Sequence, residues 1–329
     1  MRRRAFIALL GGGAMAWPLP ARARQAHRMR RIAVLMGMAA GDAGAQRRVV
    51  AFERRLQELG WVAGRNVQID YRWSVGEAVR ARSAAKELAG LAADVLVGHT
   101  VLPALALAQA TSITPIVFTA VDDPIYYGLV ESLARPGGNA TGLSILFTQL
   151  TSKRIELLCE LIPQARTIAL LVNASSPTAE PSIRGAQEAA STKGLQLSIL
   201  RASTESEIDA AFATFVNLHA DGLIIAADPF FDTRREQLVV PAARHRVPTI
   251  YFEREFSAMG GLISYGSSLP AVYRQMGIYA GRILKGEKPA DLPVEQPTKF
   301  ELVINLKTAR TLGLNVPSHL VSTADEVID

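Results

Sequence analysis

Short runs of β-branched and aliphatic residues alternate with helix-period segments along this chain, and the alternation runs through twice. Few architectures accommodate that pattern. Residues 32–36 read as a buried strand ending at Gly37. Val49, Phe52, Leu56 and Leu59 then recur at three- and four-residue spacing, and Gly60 stops that helix. Val67, Ile69 and Tyr71 alternate as in a strand. Ala84, Ala85, Leu88 and Leu91 make the next helical stripe, and residues 94–98 the next strand. A short helix over 103–110 leads to a strand at 115–119. This βαβαβ wiring predicts a parallel sheet covered by helices.

A dense turn cluster at 135–142 breaks the pattern, and the same wiring then restarts. Strands are expected at 167–173, 195–200, 222–226 and 248–251. Helices are expected after Pro181 and along Ile208, Ala211, Phe212 and Phe215. The last third adds a strand-like piece at 261–266 and a helix carrying Met276, Tyr279, Ala280, Ile283 and Leu284. Pro289, Pro293 and Pro297 then mark an extended connection, before a strand at 300–304 and a helix at 306–312. Two α/β lobes in series follow, and the returning segment suits a chain that passes more than once between them.

The first 23 residues carry a different message. Arg2, Arg3 and Arg4 precede a short apolar run that ends in Pro18, Pro20 and the small-residue triplet at 21–23, the parts of an export signal. The paired arginines before Phe6 and Ile7 resemble the twin-arginine motif, with general secretion as the other route. Residues 6–17 fall short of the roughly 20 that a membrane-spanning helix needs. The expectation is an exported, periplasmic protein cleaved near Ala23. The formal charge of +6 includes Arg2, Arg3, Arg4 and Arg22 of that leader, which has no acid, so the remainder sits near +2 and gives no reason to invoke nucleic acid.

Catalytic and metal-binding patterns do not emerge. Residues 142–146 lack the final glycine of a nucleophile elbow, and no phosphate-cradling glycine loop follows a strand. The five histidines are scattered, and Cys159, the single cysteine, has no partner for a disulfide or a metal pair. No cofactor, metal or catalytic residue is therefore expected. What remains is a set of polar and aromatic residues at the carboxyl ends of the expected strands, the edge where open parallel sheets bind ligands. The first lobe offers Met38, His99, Thr100, Thr119 and Asp122. The second offers Asn173, Asp228, Phe230 and Tyr251, with Tyr265 near the presumed crossover. Each has a plainer role open to it. Thr100 and Thr119 can cap helices, and His99 can be a satisfied residue away from ligand. Asp122 and Asp228 can form turns, and Phe230, Tyr251 and Tyr265 can be core aromatics.

Residues 121–142 resemble the D-P-x-x-x-G-L-V-x-S-L-x-x-P-G-G-N-x-T-G signature of a family of ABC-transporter substrate-binding proteins that includes tryptophan-binding (TrpX-like) members. Asp123, Pro124, Gly128, Leu129, Val130, Ser132, Leu133, Pro136, Gly137, Gly138, Asn139, Thr141 and Gly142 carry the match. Leu59-Gly60-Trp61, Gly64, Asn66-Val67, residues 153–158 and residues 309–314 extend it over the chain after the leader. The resemblance implies a type I periplasmic-binding-protein fold, with two Rossmann-like lobes joined by three crossovers. Residues 30–146 with about 266–290 would form the N-terminal lobe, and 147–265 with about 291–325 the C-terminal lobe. It further implies a non-enzymatic monomer that captures a small molecule, an amino acid or aromatic compound, between its lobes and delivers it to an ABC permease in the inner membrane. The rival readings are a sensory ligand-binding protein docking on a receptor and a secreted α/β enzyme.

Overall fold

The strand β1 (Arg30–Met36) shows why the first half folds as it does. Ile32, Val34 and Met36 face one side of the sheet and Ala33 and Leu35 the other, all buried, so the strand needs helices over both faces. The computed structural model describes residues 28–329 apart from Leu146, together with all side chains in that range except Thr148. The proposed leader, residues 1–23, lies outside the described residues.

The helices α1 (Ala43–Glu58), α2 (Ala78–Ala89) and α3 (Val101–Ala110) alternate with β2 (Val67–Trp73), β3 (Val95–His99) and β4 (Ile116–Val121). A fifth strand, β5 (Ala140–Ser144), completes an all-parallel sheet in the order β2-β1-β3-β4-β5. Its first residues fall inside the sequence's turn cluster, where Gly138 and Asn139 hide the strand's start. Phe52 and Leu56 of α1 pack on the face of Ile32, Val34 and Val97, and Leu88 and Leu107 cover the opposite face with Phe118.

The second half continues with α4 (Phe147–Leu161), β6 (Thr167–Val172), α5 (Ala179–Thr192), β7 (Gln196–Arg201), α6 (Glu205–Leu218) and β8 (Gly222–Ile225). The short α7 (Pro229–Asp232), α8 (Arg235–Arg244), β9 (Thr249–Tyr251), α9 (Arg254–Ala258) and β10 (Ile263–Ser267) follow. After α10 (Leu269–Leu284) come β11 (Phe300–Asn305), α11 (Leu306–Leu312), α12 (Ser318–Thr323) and β12 (Glu326–Ile328). The second sheet has the order β12-β11-β10-β9-β8-β6-β7, parallel throughout except where β11 runs against β10. That antiparallel pair arises because the chain leaves the sheet at the carboxyl end of β10 and re-enters it at the same end, Phe300 pairing with Ser267.

The excursion between β10 and β11 builds the other half of the molecule. Tyr273, Met276, Tyr279 and Ile283 of α10 join the core of the first sheet beside Phe52 and Leu56. Gly277 permits the closeness of α10 to α1: a Cβ there would stand 3.0 Å from the Phe52 carbonyl oxygen. Leu292 and Val294 still pack against the first sheet, and the Glu295 N–H donates to Gly142 O at 3.0 Å. The return to the second sheet therefore falls between Glu295 and Phe300. The chain crosses between the sheets near residues 145–147, 267–269 and 295–300, and the last two segments touch where Ser268 N–H donates to Lys299 O.

Candidate functional site

The carboxyl ends of both sheets face each other across a cavity. On the first side, β3 delivers His99 and Thr100 to its wall, and β4 delivers Ala120. Thr100 starts α3 with φ 74°, a conformation costly for a β-branched residue, and its N–H is held by Thr119 O at 2.8 Å. On the second side, the turn after β6 supplies Asn173, Ser175, Ser176 and Thr178, the end of β8 supplies Asp228, and the end of β9 supplies Phe252 and Glu253. Phe147 and Leu269, beside two of the crossings, add apolar surface.

Asp228 is 7% exposed, and its Oδ1 accepts from Asn173 Nδ2 at 2.9 Å and from Phe230 N–H at 2.8 Å. Burial pushes its carboxyl pKa up; the hydrogen bonds from Asn173, Ser176 and Phe230 act against this and do not cancel it. No arginine, lysine or histidine pairs with it among the described residues. His99 is held neutral: burial, reinforced by nearby Arg48, drops its pKa to about 3. Its Nδ1 accepts from Gly37 N–H at 3.3 Å, which assigns the proton to Nε2.

A buried charge cluster closes one end of the cavity. Arg48 Nη2 lies 2.9 Å from Asp232 Oδ2 and 2.6 Å from Glu253 Oε2. Burial opposes the Arg48 charge, but Asp232 and Glu253 outweigh it and raise the guanidinium's pKa. Asp232 is lowered because Arg48 and Arg235 overcome its burial, whereas burial dominates at Glu253 and pushes it well up.

Of the residues singled out from sequence, His99, Thr100, Asn173 and Asp228 line this cavity. The other six do not. Met38 is buried beneath Arg48, its sulfur accepting from Nη1 at 2.6 Å, and Thr119 is buried behind the wall. Phe230 donates its backbone N–H to Asp228, the residue that caps α7, while its ring lies 4.0 Å beneath the Arg234 guanidinium. Tyr251 stacks on Phe256 with centroids 4.7 Å apart, and Tyr265 lies against Phe300 at 6.0 Å, so strand alternation turns both rings into packing. Asp122 lines a separate open groove with Tyr126 and residues of α5. Sequence reasoning missed Arg48, Asp232, Glu253 and the 175–178 turn. Arg48 carried a signal: it lies four residues before Phe52 on the buried stripe of Ala45, Phe52 and Leu56, where an arginine needs partners.

The model of a family described as ABC transporter substrate binding protein matches residues 32–328. The chain belongs to that family. A tyrosine-binding protein of Clostridioides difficile (strain R20291) is 27% identical over 263 residues, 80% of this chain and 75% of that protein. A Streptococcus pneumoniae ABC domain solved in complex with L-Trp superposes with TM-score 0.84 at 26% identity, covering 92% of this chain and all of that one. A conserved domain protein from Vibrio cholerae gives TM-score 0.86 at 27% identity over 91% of this chain and all of the other. The two-lobed α/β architecture is the type I periplasmic-binding-protein fold, and the protein is an extracytoplasmic solute-binding component of ABC transport. Among the described residues, no helix is long and apolar enough to cross a membrane.

Proposed function

We propose that this substrate-binding protein captures an amino acid, of the aromatic class, in the cavity between its sheets and hands it unchanged to an ABC permease in the inner membrane. The observation that carries the reading is Asp228, a buried carboxylate in the cavity wall without a cation among the described residues. An ammonium group supplies that cation. The backbone N–H groups opening α3, together with the 175–178 turn, suit a carboxylate. Phe147, Phe252 and Leu269 suit an apolar or aromatic side chain. The tyrosine-binding relative and the neighbour solved with L-Trp support the same class.

Under this reading residues 30–146, with the returning stretch from about 266, form one lobe, and the remainder forms the other. The solute joins His99 and Thr100 of the first to Asn173 and Asp228 of the second. Contacts from both lobes are what favour closure, because a ligand that binds open and closed forms equally shifts nothing. The protein works as a periplasmic monomer after cleavage near Ala23. The test is a thermal-shift screen of residues 24–329 against the amino acids, nucleobases and sugars, followed by calorimetry. Stabilisation by L-tyrosine or L-tryptophan, growing as RT ln(1 + [L]/Kd), is expected. Stabilisation by sugars or nucleobases alone would overturn the amino-acid assignment, and turnover of the bound compound would overturn the binding role.

A further inference from the structure

The charge cluster beside the cavity is reciprocal across the two lobes. Arg48 of α1, in the first lobe, reaches Asp232 of α7 and Glu253 after β9, both in the second. In the opposite direction Arg235 of α8 reaches Asp42, the residue that caps α1, at 3.1 Å, and also pairs with Asp232. Arg47 and Glu255 add a bridge at the rim at 3.0 Å. The side chains of Arg48, Asp232, Glu253 and Arg235 are all at most 9% exposed. Arg48, Asp232 and Glu253 also border the cavity.

Each of these bridges between the lobes exists only while the lobes are together. When they part, the side chains of Arg48, Arg235, Asp232 and Glu253, buried in this arrangement, return to water. Ions buried at such short range require their partners, so the cluster admits one register of the lobes and penalises a slipped or half-closed one. Interactions confined to the closed form alter solute affinity by linkage even where they do not touch the solute.

We propose that Arg48 and Arg235 are positioning residues: with Asp42, Asp232 and Glu253 they form a latch that favours the closed register of the lobes and thereby sets solute affinity. The inference rests on the cavity being the solute site, but its first readout needs no solute.

Small-angle scattering of residues 24–329 in the absence of solute compares the wild type with Arg48→Met and Asp42→Asn. Asparagine at 42 still caps α1 by accepting from Ala45 N–H, so the second variant removes a bridging charge and keeps the helix start. It also serves if the buried substitution at 48 prevents folding, which circular dichroism reports. Both variants are expected to show a larger radius of gyration than the wild type, with Arg48→Met the larger. Lysine at 48 restores part of the difference. With L-tyrosine or L-tryptophan as probe, dissociation is expected to quicken at least tenfold in Arg48→Met. An unchanged radius in the folded variants overturns the latch. A larger radius in the variants, with neither amino acid bound by the wild type, overturns the solute assignment and supports the latch.

Discussion

Replacing Asp228 by asparagine separates what this residue does for the solute from what it does for the fold. Its Oδ1 takes both the Asn173 and the Phe230 hydrogen bonds, and an asparagine Oδ1 can accept both in the same geometry. Ser176, which donates to the carboxylate, can turn its hydroxyl and accept from the new amide. The substitution thus removes one charge and little else. Burial has raised the Asp228 pKa, so the folded protein holds its proton more tightly than the unfolded chain, and stability from this group falls as pH rises through the raised value. Once ionised, the buried carboxylate is a cost to the fold. Asp228→Asn should therefore leave the solute-free protein as stable as the wild type, or more so.

Binding should move the other way. A hydrogen-bonded charge pair with an ammonium is worth about 1.5–3 kcal/mol, so affinity should fall by roughly 10- to 150-fold. The assay is calorimetric titration with the amino acid found by thermal shift, paired with denaturant unfolding of the solute-free form. Unchanged affinity would refute the ammonium assignment. A loss of more than about 1 kcal/mol of solute-free stability would refute the account of the carboxylate as a buried cost.

Thr100→Gly should stabilise the solute-free protein by about 1 kcal/mol or more, because glycine adopts φ 74° without the threonine's penalty; a lower melting temperature would contradict the strain. Gly142→Ala should cost more than about 3 kcal/mol or abolish folding, since its Cβ would collide with the Phe118 carbonyl oxygen in the β4–β5 ladder; a normal melting curve would contradict that contact. His99 titrates at about 3 when folded against 6.5 as a free side chain, so below pH 6.5 the unfolded chain takes up a proton that the folded one refuses. Stability from this group is lost as pH falls from 6.5 towards 3, by up to about 1.4 kcal/mol per pH unit, and His99→Gln should flatten that slope in unfolding measured at pH 7 and pH 5.

The alternation of runs made the sheets legible because most strands are buried on both faces. The strand β1 and the helix α11 stand where their residues suggested. The strand β5 was not foreseen, since Ala140, Thr141 and Gly142 resemble the turn residues before them and are strand only because β4 lies alongside. The short α7 and α9 carry too few periodic residues to announce themselves, whereas α8 carries Leu238, Val239 and Ala242 at helical spacing and was passed over. For the site, residues next to a strand's end were found when the chain turned them to the cavity, as with His99, Thr100, Asn173 and Asp228. Tyr251 and Tyr265 lie near the same edge, but their rings pack against Phe256 and Phe300. Arg48 escaped notice because its partners, Asp232 and Glu253, lie 184 and 205 residues away.

The helix α10 completes the first sheet's core, yet it is encoded after nearly all of the second sheet. During synthesis, therefore, the half that emerges first cannot finish until most of the other half has been made. Until residues 269–294 arrive, Ile32, Val34, Phe52 and Leu56 lack the tyrosines and aliphatic side chains that cover them. The second sheet waits as well, since β11 and β12 come last. Neither lobe can be released as a finished unit. A nascent chain of this kind exposes an apolar face for most of its elongation, and that interval is when a chaperone or an export receptor has something to hold.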